Sequence, residues 1–77
     1  MEEKVIDIIC KYQRINPKTI TLQSNLMKDI GLSSFDVLNL VCIFEEEFQV
    51  EIPDRSIASV RTVEDIVQTI QRLLSLA

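Results

Sequence analysis

The chain has 77 residues, 47% of them hydrophobic, no histidine, and a net charge of −4. Without histidine there is no Ser-His or Cys-His nucleophile pair and none of the usual zinc sites. The acidic balance, with a pI near 4.6, makes binding to nucleic-acid phosphates improbable, and no apolar run approaches the ~20 residues of a membrane span.

A chain of this length is expected to form a single domain, residues 1–77, using nearly all its apolar residues in one core and leaving little for a deep catalytic cavity. Met1-Glu2-Glu3-Lys4 is charged and lacks the apolar stretch of a secretion signal. Cys10 and Cys42 show no CxxC spacing and read as free thiols of a reducing, cytoplasmic compartment. Gly31, Pro17 and Pro53 divide the chain, since glycine and proline are the strongest breakers.

Residues 2–14 carry Val5, Ile8, Ile9 and Tyr12 at the i, i+3, i+4, i+7 spacing of one helix face. Asn16-Pro17 is expected to end that helix, because the residue before proline is pushed out of the α region. A long connection follows over residues 18–32, with Ile20, Leu22, Leu26 and Ile30 as anchors onto a core; loops of that length are often functional. A second helix is expected from Ser33 to about Phe48, opened by a Ser33-x-x-Asp36 capping box. After the break at Glu51-Ile52-Pro53, Asp54 is placed to cap a short turn over residues 55–58. Thr62-Val63-Glu64-Asp65 is a second capping box. It opens a last helix with Val63, Ile66, Val67, Ile70, Leu73 and Leu74 on one face. The predicted fold is all-α: a small bundle of three longer helices and one short one.

The second helix has two features that folding alone does not require. Between Asp29 and Asp54 there are seven acidic residues and no Lys or Arg, while the remaining residues hold five acids and eight bases. A field of one sign is either a solvated surface or a means of steering basic partners. The apolar residues also form a double stripe. Val37, Val41, Phe44 and Phe48 make one core face, and Phe35, Leu38 and Cys42 make another, displaced round the wheel. Either a wide core absorbs both, or the second is an apolar strip ringed by carboxylates and suited to transient contacts. Glu45, Glu46 and Glu47 are consecutive, so they diverge round the helix and form neither a facing acid pair nor a convergent metal site. At the helix start, Ser33 in the cap position would leave the Ser34 hydroxyl exposed at the positive end of the helix dipole, where a phosphate is favoured by ~0.3–1 kcal/mol.

The run Asp29-Ile30-Gly31-Leu32-Ser33-Ser34-Phe35-Asp36, continued by Glu45-Glu46-Glu47-Phe48 and Glu51-Ile52-Pro53-Asp54, strongly resembles the acyl carrier protein family, whose pattern is D-L-G-x-D-S-L-D, then E-E-x-F and I-x-I-P-D. Thr62-Val63-Glu64-Asp65 is similar to the family's T-V-x-D, and the likeness spans the chain without a gap. It implies a four-helix carrier fold and no enzymatic activity. It implies that Ser34 receives 4′-phosphopantetheine from coenzyme A through a phosphopantetheinyl transferase, and that the arm's thiol holds acyl or aminoacyl groups as thioesters. Those groups would be presented to enzymes of fatty acid, polyketide or related biosynthesis. The lack of histidine suits a thioester carrier, since a nearby general base could promote hydrolysis.

The acidic second helix then resembles the family's recognition helix, with Ser33, Phe35, Asp36, Leu38, Cys42, Glu45, Glu46, Glu51 and Asp54 as the partner-docking positions facing basic patches on partner enzymes. The expected working state is a cytoplasmic monomer that binds no nucleic acid. Ser33 replaces the usual acidic residue before the modified serine, and Asn39 and Gln49 stand where Glu and Gly are common. Phe35, aligned with the family's Leu after the modified serine, points to Ser34 rather than Ser33. Ile57 and Ile66 stand where the family often has small residues, and Phe44 where it has Leu. That bulk would shrink any acyl cavity and favour short or polar cargo. The other reading of the whole chain is a helical interaction module that keeps the fold and has lost the modification.

Overall fold

In the computed structural model, which describes residues 1–76, the helical spacing of the apolar residues is realised as four α-helices. They are α1 (Glu2–Gln13), α2 (Ser34–Phe48), α3 (Asp54–Ser59) and α4 (Val63–Ser75), with a 3₁₀ turn at Pro17–Thr19. The end of the expected domain at Ala77 lies outside the described residues. The all-α bundle of three longer helices and one short helix is as the sequence predicts, and the described residues contain no strand beyond an isolated antiparallel bridge between Asn25 and Thr62.

α1 ends before its proline can act. Arg14 adopts a left-handed conformation, φ 59° and ψ 49°, and its N–H donates to the Cys10 carbonyl. Asn16-Pro17 therefore opens the 3₁₀ turn instead of closing α1; Asn16 Oδ1 accepts from the Lys18 N–H at 2.9 Å. Val5, Ile9 and Cys10 are the buried residues of α1, which packs chiefly against α4. Burial pushes the Cys10 thiol above its ordinary pKa, and the Asp7 charge adds to the effect. Cys10 is thus a protonated core residue.

α2 is rotated slightly from the expected face. Its fully buried residues are Leu40 and Phe44, while Val37, Val41 and Phe48 are half-buried. Phe35 and Leu38 are 70% and 52% exposed, and Cys42 is exposed as well. The core does not absorb the second stripe. At its far end α2 leans on α1: Lys4 Nζ lies 3.1 Å from Glu47 and 5.3 Å from the centre of the Phe48 ring. Gln49 closes α2 in the left-handed region at φ 55°, a conformation that costs a residue with a Cβ about 1–2 kcal/mol. Its side-chain amide recovers part of that by donating to the Glu46 carbonyl.

Asp54 does not cap the short helix. Pro53 occupies the cap position without a side-chain bond, and Asp54 is the first helical residue, exposed. Pro53, whose ring fixes φ, already holds the extended conformation of a cap residue, φ −63° and ψ 149°, so the boundary falls one residue earlier. α4 follows its predicted face through Val63, Ile66, Val67 and Ile70; Leu73 is half-buried and Leu74 lies at the edge.

The long connection between α1 and α2 is ordered by its own backbone. Ile20, Leu26, Ile30 and Leu32 reach the core, and Leu22 packs against it. Leu26 N–H donates to the Arg61 carbonyl at 3.0 Å, Glu64 N–H to Leu22 at 2.9 Å and Val63 N–H to Ser24 at 3.2 Å, which stitches the connection to the start of α4. Asn25 organises the next turn by accepting the Met27 and Lys28 N–H groups on Oδ1. Gln13 Nε2, from the end of α1, donates to the Ile30 carbonyl at 3.2 Å. Gly31 sits at φ +83°, where a side chain would be strained. These bonds fix the approach of the chain to the head of α2.

Candidate carrier site

Both predicted capping boxes form, and the first one defines the site. Ser33 Oγ accepts the Asp36 N–H at 3.1 Å, and Asp36 Oδ2 accepts the Ser33 N–H at 2.9 Å and the Ser33 hydroxyl at 3.0 Å. The other carboxylate oxygen, Oδ1, accepts the Tyr12 hydroxyl of α1 at 2.8 Å, and Tyr12 in turn accepts from Asn39 Nδ2 at 3.0 Å. The Ser33 N–H, then the Tyr12 and Ser33 hydroxyls, hold the Asp36 carboxyl below its ordinary pKa. In the second box, burial would raise Asp65. That effect is outweighed by the backbone N–H groups of Arg61 and Thr62, the Thr62 hydroxyl and the Arg61 charge, which together hold it low. Both carboxylates therefore stay ionised through the neutral range, and both caps persist there.

With Ser33 committed to the cap, Ser34 is left over. It is the first residue of α2 and exposed, and among the described residues its hydroxyl has no protein partner. Among the described residues it is also the only hydroxyl bordering a groove of about 470 Å³, walled largely by Leu26, Met27, Val37, Leu38, Ile57 and Val60 and reached also by Asn25 and Arg61. An exposed nucleophilic oxygen, the positive end of a helix dipole and an adjoining apolar trough suit a phosphate-linked, partly apolar arm. 4′-Phosphopantetheine is such a group. The chemistry it supplies is a thiol that can be acylated, and the chain's own part is to anchor and display it.

The predicted docking residues separate into two kinds. Phe35, Leu38, Cys42, Glu46, Glu51 and Asp54 are exposed and uncommitted to backbone bonds. Ser33 and Asp36 are bound up in the cap, and Glu45 is half-buried with Oε2 accepting the Ile52 N–H at 2.8 Å. Cys42, Glu45, Glu46, Glu51 and Asp54 line one broad, open concavity of about 920 Å³ at the far end of α2. The contacts of Tyr12 with Asp36 and Asn39, and the place of Arg61 on the groove, carry no local signal in the sequence. Tyr12 was legible only as a core-face residue, because nothing local to it signals a partner in α2.

The interior is nearly full. A void bounded in part by Phe44, Ile57 and Ile66 measures about 20 Å³, room for about one water. Among the described residues, no group of His, Cys, Asp and Glu could hold a metal ion, and no helix is long and apolar enough to cross a membrane.

The four-helix scaffold leaves an unengaged serine beside a trough, with an acidic face along the same helix. The family profile described as "Phosphopantetheine attachment site" matches residues 3–70. An acyl carrier protein of Syntrophobacter fumaroxidans is 44% identical over 86% of this chain and 82% of that protein. One of Campylobacter concisus is 35% identical over 92% of each. The crystal structure of an acyl carrier protein from Thermotoga maritima superposes with a TM-score of 0.83 at 28% identity, over 96% of this chain and 86% of that one. The chain belongs to the acyl carrier protein family, whose members carry acyl groups on phosphopantetheine and are not enzymes.

Proposed function

We propose that Ser34 is the attachment point of the arm and that the exposed face of α2 is the surface partner enzymes read. The observation that carries this is the division of labour between the two serines: Ser33 Oγ accepts the Asp36 N–H at 3.1 Å, and Ser34 is exposed with nothing to do in the fold. A phosphopantetheinyl transferase would form one ester bond from Ser34 Oγ to phosphorus and break the pyrophosphate bond of coenzyme A, releasing adenosine 3′,5′-bisphosphate and the hydroxyl proton. The chain then works as a cytoplasmic monomer with both thiols reduced. Incubation with coenzyme A and a broad-range transferase should add about 340 Da, the mass of the arm, on the peptide containing Ser34. An unmodified interaction module would gain nothing.

Partner recognition rests on Phe35, Leu38 and Cys42 as apolar contacts and on Glu46, Glu51 and Asp54 as the freely available charges, with Ser33, Asp36 and Glu45 contributing through position and field. Glu46→Lys with Glu51→Lys should slow loading of the arm, more at low than at high ionic strength, because surface steering is screened by salt. Glu45 is left out of that variant since its carboxylate holds the Ile52 N–H, and reversing it would confound docking with loop structure. Equal kinetics at both salt concentrations would reduce the acidic face to solvation.

The cargo is short or polar, or stays outside the core. An octanoyl chain needs several times the roughly 20 Å³ void beside Phe44, and close-packed interiors yield space reluctantly. Octanoyl loading should therefore leave the methyl and ring resonances of Phe44, Ile57 and Ile66 unmoved. Large shifts there would show that the core opens to admit the chain.

A further inference from the structure

The groove beside Ser34 has an uneven chemistry. Its walls are apolar, and only Asn25, Ser34 and Arg61 bring polar side chains to it. The 26 positions from Asp29 to Asp54 contain no cation, so an anion attached to Ser34 enters a region of the same sign. Among the described residues, Arg61 is the one cationic side chain bordering that space. Its guanidinium is held at the rim: Nη1 donates to the Ala58 carbonyl at 2.9 Å and the Val60 carbonyl at 3.3 Å, both near the end of α3. Among the described residues its Nε and Nη2 donors have no protein partner. Asp65 is the carboxylate that feels the Arg61 charge, but its Oδ2 is taken by the backbone N–H groups of Arg61 and Thr62 at 2.8 and 3.0 Å, and it forms no ion pair with the guanidinium.

Asn25 stands next to Arg61 because Leu26 N–H donates to the Arg61 carbonyl and Asn25 bridges Thr62. Asn25 Oδ1 is occupied by the Met27 and Lys28 N–H groups, which leaves its Nδ2 as the free end. Two unemployed donor groups, one of them a charged planar fork, thus border the same trough as the Ser34 hydroxyl. A guanidinium with two free donors matches the oxygens of a phosphate ester better than any other group on this surface.

We propose that Arg61, with Asn25 beside it, binds the phosphodiester of the arm carried on Ser34, laying the inner end of the arm into the groove. This rests on Ser34 being the attachment residue. The occupant is the phosphodiester rather than the cargo, because the phosphorus is the part of the arm bonded to the serine that borders the groove.

The test uses the full chain before and after arm attachment, with mass spectrometry confirming the modification. On attachment, the Arg61 Nε–H and Asn25 Nδ2–H₂ cross-peaks should shift, and the ³¹P resonance should differ from that of a short peptide bearing the same arm. Arg61→Gln should return the ³¹P resonance to the peptide position and abolish the Asn25 shift, and Arg61→Lys should retain part of both. The amide spectrum of unmodified Arg61→Gln shows whether α3 and the groove survive the change; if they do not, the comparison of wild type with the peptide still decides. Full mass gain with unmoved Arg61 and Asn25 peaks overturns the proposal while leaving Ser34 as the anchor. Arg61 peaks that move only after succinyl loading also overturn it, by making the guanidinium a reader of cargo. Absence of any mass gain overturns this proposal together with the Ser34 reading.

Discussion

Ser34→Ala should fold normally and lose the arm completely, and Ser33→Ala should do the reverse. The adjacent hydroxyls have different work. Removing the Ser33 side chain deletes the cap on the Asp36 N–H and costs about 1 kcal/mol, within a usual range of roughly 0.5–2. For a domain of this size that is a fall in Tm of about 4–8 °C per kcal/mol. Ser34 caps nothing, so its replacement should stay within about 0.5 kcal/mol of the parent, yet remove the oxygen proposed to carry the phosphorus. Thermal melts and intact-mass spectra on the two variants give a crossed result: stability falls in one, the gain of about 340 Da vanishes in the other. A modified Ser34→Ala protein would move the anchor to Ser33 and with it the reading of the site.

Phe44→Ala should come close to unfolding the protein. Phe44 is 1% exposed and its ring lies 6.4 Å from that of Phe48. Truncating a buried phenylalanine costs about 3–5 kcal/mol in lost transfer energy and residual cavity. The whole stability expected of 77 residues is only about 4–12 kcal/mol, from about 0.05–0.15 kcal/mol per residue. Phe35→Ala, on the same helix but 70% exposed, should change stability by less than about 0.5 kcal/mol and show its effect in loading by partner enzymes instead. Urea titrations of both variants check the contrast. A Phe44→Ala midpoint near that of the parent would mean that the core collapses around the deletion.

The helical framework was legible because the signals for it are local. Ser33 with Asp36, and Thr62 with Asp65, sit three residues apart in sequence, and the boxes they predict form with the predicted atoms. The attachment candidate rests on the resemblance of residues 29–36 to the family's pattern, and the capping box adds only that Ser34 keeps a free hydroxyl when Ser33 caps. What the sequence concealed depends on contacts between distant segments. Periodicity put Val37 and Val41 on the core face and missed Leu40, because where the centre of a stripe points is set by the neighbouring helices. It could not show that Tyr12 of α1 reaches Asp36, nor that Glu45 is engaged with the Ile52 N–H. The acidic face therefore looked more uniform than it is. Arg61 lies between two helices with no local signal in the sequence to mark it. Its place on the groove depends on the backbone pairing of Leu26 with Arg61 across the bundle.

The connection ahead of α2 is tied down along its length. Segments of this length without a helix of their own commonly wander, but here the backbone bonds to Arg61, to Ser24 and Leu22 from α4, and the Gln13 amide from α1 leave it little freedom. The Ser34 hydroxyl is therefore held in place relative to the rest of the chain, and on the proposed attachment a change in the cargo's position comes from rotation about single bonds in the prosthetic group. On that reading delivery is a search by a tether about a fixed pivot, so the enzyme visited must bring its own entrance within that radius.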